Sequence, residues 1–123
     1  MKIELILKEE GLEMYGDIPC LPIDIKNNEG ERFIGTENDS WLLLEDFVPA
    51  IDKICPNDLD YGDVDYFDYK KCQIILKWIK EKNEDKKDAR LQTLYLKMEE
   101  YMKRAIELKT GIVIELWKAH IYC

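Results

Sequence analysis

Eight apolar positions, Leu91, Leu94, Tyr95, Met98, Tyr101, Met102, Ala105 and Leu108, recur at spacings of three and four. That period commits the stretch to one long helix with a single buried stripe, which must find a second apolar layer to cover it. Asp88 is placed to cap its start, and Gly111, shortly after Lys109, to close it near the C′ position. Tyr69, Cys72, Ile75, Leu76 and Ile79 form a second stripe, predicting a shorter helix that ends near Lys82. Asp65 is its expected N-cap, with Asp68 three residues on as a short-armed capping-box partner. The charged stretch from Glu81 to Lys87 reads as a solvated connector.

The covering layer is a sheet. From Lys2 to Glu9, Ile3, Leu5 and Leu7 alternate with Lys2, Glu4 and Lys8, the period of a half-buried strand. Leu21, Ile23 and Ile25 repeat it, and Asn27-Asn28-Glu29-Gly30 then leads to Arg32-Phe33-Ile34 as a hairpin. Pro19 and Pro22 lack backbone donors, so that second strand is expected at an edge or to start late. Trp41 to Leu44 fits a strand or a helix start. Phe47, Val48, Ile51 and Ile54 are helically spaced, with Pro49 tolerated if the helix begins near Glu45 or Asp46, and Cys55-Pro56-Asn57 stops it. The β-branched stretch from Ile112 to Trp117 predicts a last strand, reaching toward Tyr122. It is expected to return beside the first strand, a pairing the residues alone do not fix. Strands first, then helices, then a closing strand describe one α+β domain over residues 1–123: a mainly antiparallel sheet with about three helices on one face.

A chain of 123 residues is long enough to bury a core, and 46% hydrophobic content supplies one. No apolar run approaches the roughly 18 residues needed to cross a bilayer. The N-terminus, MKIELILKEEGLE, is too short and too acidic for a secretion signal, so a cytoplasmic location with reduced thiols is expected. Cys20, Cys55, Cys72 and Cys123 show no C-x-x-C spacing, and His120 is the lone histidine, which gives a zinc site no support. Cys72, inside a helical apolar stripe, is expected to be a core thiol.

The net charge of -8 hides a division: residues 1–68 carry 18 Asp/Glu against 5 Lys/Arg, whereas residues 69–123 carry 8 against 13. The acid is densest over residues 37–68, where ten carboxylates face only Lys53. A field of that sign repels nucleic acid and steers basic partners. No phosphate-binding glycine motif or Ser-His-Asp set accompanies it, and Glu115 and Lys118 would point to opposite strand faces, so no nuclease-type pair forms. In the calcium-like run Asp58, Asp60, Asp63, Asp65 and Asp68, no register combines a sixth-position Gly with a twelfth-position Glu. Carboxylate-only hydrolysis has no pair selected by spacing. A non-enzymatic binding protein without cofactors is the expected class.

The segment NDLDYGDVDYFDYKK interleaves five aspartates with Tyr61, Tyr66, Phe67 and Tyr69. Aromatic anchors inside a charged rim are interface chemistry, and Asp58, Asp60, Tyr61, Asp63, Asp65 and Tyr66 are the candidate partner-binding residues. Against this stands a bland alternative, in which the aspartates cap turns and helices while the aromatics reach into the core. Residues 41–47 (WLLLEDF), residues 60–69 (DYGDVDYFDY) and the following helix from Lys71-Cys72 to Trp78 together resemble the small acidic immunity proteins of bacterial polymorphic and contact-dependent toxin systems. That resemblance implies a cytoplasmic, non-enzymatic inhibitor, monomeric or dimeric, that binds one cognate toxin domain, often a basic nuclease, and contacts neither nucleic acid nor membrane. A structural or adaptor domain of a bacterial or phage assembly is the competing expectation.

Overall fold

The computed structural model describes residues 1–7, 14–15, 18–19, 31–55, 64–83 and 88–116, and for 14–15, 18–19, 64–65 and 83 the backbone alone. In chain order the elements are β1 (Lys2–Leu5), β2 (Met14–Tyr15), β3 (Ile18–Pro19), β4 (Arg32–Ile34), α1 (Glu37–Ile54), β5 (Val64–Asp68), α2 (Tyr69–Asn83), α3 (Ala89–Leu108) and β6 (Gly111–Glu115). β4, β1, β6 and β5 form one sheet in that order, and every neighbouring pair is antiparallel. The two terminal strands therefore lie side by side at its centre, Ile3 opposite Ile114 and Leu5 opposite Ile112. β2 and β3 pair as a separate short ladder. The expected strand around Leu21–Ile25 lies outside the described residues, as do Cys20, His120 and Cys123. Among the described residues no helix is long and apolar enough to cross a membrane.

Helices cover one face of this sheet, as an α+β architecture requires. Ile3, Leu5, Phe67, Ile112 and Ile114 join a buried core with Leu43 and Ile51 of α1, Cys72, Ile75 and Ile79 of α2, and Leu94, Met98 and Met102 of α3. Phe47 is the hub of an aromatic cluster. Its ring lies 6.4 Å from Phe67, 6.0 Å from Trp78 and 6.2 Å from Tyr95, which joins α1 to β5, α2 and α3. Trp78 and Tyr95 meet edge-on at 5.5 Å, a favoured aromatic geometry. Cys72 is a fully buried thiol. It donates to the Phe67 carbonyl at 3.4 Å, and burial pushes its pKa up to about 12, so it is inert.

Local chemistry corrects three expectations. α1 begins at Glu37, eight residues before Glu45, because Thr36 and Asp39 form a reciprocal capping box. Trp41–Leu44 is thus helical, and Pro49 sits well inside the helix rather than in its first turn. It is tolerated because it lies on the exposed side, where the carbonyl it leaves unbonded can meet water. Asp65 is not the cap of α2. Pairing with β6 as far as Asp68–Gly111 keeps the chain extended, and it is the Asp68 carboxylate that accepts from Lys71 N at 2.9 Å. Finally, the left-handed residue that closes α3 is Lys109 (φ 57°), while Gly111 opens β6.

Candidate functional site

Asp58, Asp60, Tyr61 and Asp63 lie outside the described residues. Asp65 and Tyr66 lie on β5, an edge strand of the four-stranded sheet, where the backbone of Asp65 pairs with Ile114 and that of Tyr66 with Val113. Tyr66 is half-buried. A Cβ built on Gly111 would stand 2.6 Å from its ring, so a glycine on the neighbouring strand is what lets that ring lie close. β5 thus brings Asp65 and Tyr66 to one sheet edge at the end of the acidic segment.

A second acidic feature lies on α1, within the residues that carry the resemblance and next to them. At about 100° per residue, Glu37, Trp41, Glu45 and Asp52 fall on one side of the helix, and all four are exposed. Leu43 and Phe47 lie across the helix in the core, while buried Ile51 and Val48 fall beside Glu37, at about 320° and 20° from it around the axis. Trp41 stands 50% exposed, one of five large hydrophobic side chains exposed among the described residues, with Ile34, Ile74, Leu96 and Leu108. Carboxylates elsewhere on the described surface are mostly matched: Asp46 with Lys82, Glu31 with Arg104, Glu99 with Lys103 and Glu100 with Lys97. No ion pair links Glu37, Glu45 or Asp52 to a cation among the described residues.

The helix that carries this face is firmly fixed. Asp39 is 1% exposed and makes four bonds. Its carboxylate accepts from Arg90 Nε at 2.8 Å, from Arg90 Nη2 at 2.7 Å and from Thr36 N at 2.8 Å, while its own N–H donates to Thr36 Oγ1 at 3.2 Å. The paired Arg90 guanidinium, aided by the Thr36 N–H, holds its pKa down at about 2 against the opposing effect of burial. Arg90 also stacks 5.6 Å from the Phe33 ring centroid. One carboxylate therefore ties the start of α1 to the start of α3 and, through Arg90, to β4. Farther along, Ser40 Oγ donates to the Leu116 carbonyl at 2.5 Å and Tyr95 donates to Asp46.

Glu4 departs from the alternation that marks it as a solvent-facing strand residue. It lies on the sheet face away from the helices, opposite Arg32 and Val113, yet it is fully buried, and neither carboxylate oxygen has a hydrogen bond. Lys2 Nζ stands 3.7 Å away, an ion pair rather than a hydrogen bond, and shares itself with Glu115 at 3.5 Å. Burial raises the pKa of Glu4, with Lys2 and Arg32 opposing the rise. In the fold this acid holds its proton to a higher pH than in the unfolded chain, so its contribution to stability declines as pH rises above 4.5. Glu4→Gln, which mimics the neutral acid, is expected to gain on the wild type as pH rises, by on the order of 1 kcal/mol. Urea unfolding across a pH series checks this; a difference that does not change with pH would contradict it.

Among the described residues no group of three His, Cys, Asp or Glu side chains is arranged to hold a metal ion. The carboxylates that could act are instead capped, paired or spread along one helix face, an arrangement suited to attracting and orienting a cationic surface. Comparison with protein-family models, curated proteins and solved structures finds no match to this chain.

Proposed function

We propose that this chain is a non-enzymatic acidic binding protein, an immunity protein that works in the cytoplasm and neutralises a cognate toxin domain by occluding its basic active cleft, a nuclease cleft being the best chemical match. The observation that carries the reading is the charge division, with 18 acidic against 5 basic residues in the first 68 and the acid concentrated next to aromatic side chains. Aspartates placed this way stand in for phosphate: they steer the encounter and pair with Arg or Lys, while Tyr61 and Tyr66 act as desolvated anchors. Replacing Asp60, Asp63 and Asp65 together by Asn is expected to slow association with the basic partner at least about tenfold at low salt and to flatten its salt dependence. Stopped-flow association at several ionic strengths measures both, and an unchanged on-rate would remove the steering role.

Exposed Ile74 and Leu96, 50% and 54% accessible on α2 and α3, favour a second reading as a structural or adaptor domain of a larger assembly. Sedimentation over a range of concentrations separates the two. Self-association that resists salt supports the assembly role, and a monomer or defined dimer supports the inhibitor.

A further inference from the structure

We propose that the outward face of α1 is a docking surface for a cationic protein, with Trp41 as its apolar anchor and Glu37, Glu45 and Asp52 as the charged rim. The proposal rests on the reading of the chain as an acidic binding protein and adds to it a second surface, on the helix that precedes the acidic-aromatic segment. Three observations support it. The first is position: taking Glu37 as zero, Trp41, Asp52 and Glu45 fall at about 40°, 60° and 80° around the helix axis, with buried Val48 at about 20° marking where the face meets the core. The second is charge. The three carboxylates lack ion pairs among the described residues, whereas Asp39 and Asp46 of the same helix are paired, so the field of this face is left for a partner to complement. The third is the anchor, a half-exposed Trp one turn from Glu37 and one turn from Glu45. Trp is among the residues that dominate binding energy when a pocket takes them up, and surrounding polar groups then exclude water.

The surface is also preorganised. α1 is held at its start by Thr36, Asp39 and Arg90, one turn on by Ser40 and at its middle by Asp46, so docking on it orders little of the backbone. The matching partner surface bears Arg or Lys around an apolar pocket that accepts an indole ring. A nucleic acid is disfavoured by the sign of the charge.

The test uses the full chain, isotopically labelled, titrated with a synthetic helical peptide of arginine, lysine and leucine and, in parallel, with a peptide in which glutamate replaces the basic residues. The expected result is saturable shifts of the Trp41 indole N–H and of amides from Glu37 to Asp52 with the basic peptide alone. Trp41→Ala should weaken binding about tenfold, and the triple variant Glu37→Gln, Glu45→Gln, Asp52→Asn should remove most of the salt dependence. These positions are exposed, and an otherwise unchanged spectrum verifies the fold of each variant. Saturable shifts confined to residues 57–69, with α1 silent, would overturn the α1 proposal and leave the acidic-binding reading standing. No saturable shift with the basic peptide would overturn both.

Discussion

Phe47→Ala is expected to lose about 3–5 kcal/mol of stability. Phe47 is 1% exposed, and its ring touches aromatic neighbours on β5, α2 and α3 at once. Truncation removes the transfer free energy of a whole ring and leaves a cavity bounded by Phe67, Trp78 and Tyr95. Those side chains are themselves held, Tyr95 by its bond to Asp46, so the cavity cannot collapse cheaply. Against a total stability of about 5–15 kcal/mol for a protein of this size, the variant stands near unfolding at physiological temperature. Phe47→Leu keeps most of the volume and should lose no more than about 1.5 kcal/mol. Urea titrations of both variants measure the two losses. A loss below about 1 kcal/mol for Phe47→Ala would mean that the aromatic cluster is not the point where sheet and helices are joined.

Asp39→Ala comes next, at about 3 kcal/mol, because it deletes a capping box and leaves the start of α1 without its link to α3. Asp39→Asn keeps an oxygen to accept from the Thr36 N–H but loses the charge that faces Arg90, and should give roughly half that loss. The pH dependence carries a definite sign. The pKa of Asp39 is depressed from 3.8 to about 2, so its charged form stabilises the fold above 3.8 and the contribution drains away as pH falls through about 2. The gap between wild type and Asp39→Asn should therefore be full at neutral pH and narrow in acid, opposite in direction to the Glu4→Gln series. Thermal unfolding over an acid pH range checks it, and a gap that widens on acidification would contradict the account.

The long helix, its shorter partner and the strand alternation were legible because each is a local period imposed by one buried face. Leu94, Met98 and Met102 on α3, and Cys72, Ile75 and Ile79 on α2, all lie where those periods place them. What local period does not encode was harder to read. Asp65 and Asp68 are equally good caps by composition, and only the pairing of β5 with β6 decides between them. The start of α1 did have a signal, Thr36 with Asp39 three residues on, but Asp there is shorter than the usual Glu and the box depends on the backbone closing around it. Glu4 alternates like any solvent-facing strand residue, and its burial comes from long-range packing that one strand cannot announce. The acidic-aromatic segment stood out by composition, and the structure places its last part, with Tyr66, on an edge strand. The α1 face was less visible, because Glu37, Trp41, Glu45 and Asp52 come together only once the helix extends across all four.

The proposed inhibitor forms a stoichiometric complex with a basic toxin domain. The first experiment is affinity capture with the full chain from a lysate of its source at low and moderate salt, followed by purification of whatever cationic protein is recovered and assay of that protein's toxicity with and without the chain. One basic partner is expected, released as salt rises, with activity that falls to background at one equivalent of the chain. Recovery of a salt-insensitive assembly component or of the chain alone would contradict the inhibitor reading, as would a basic partner whose activity is unaffected by the chain.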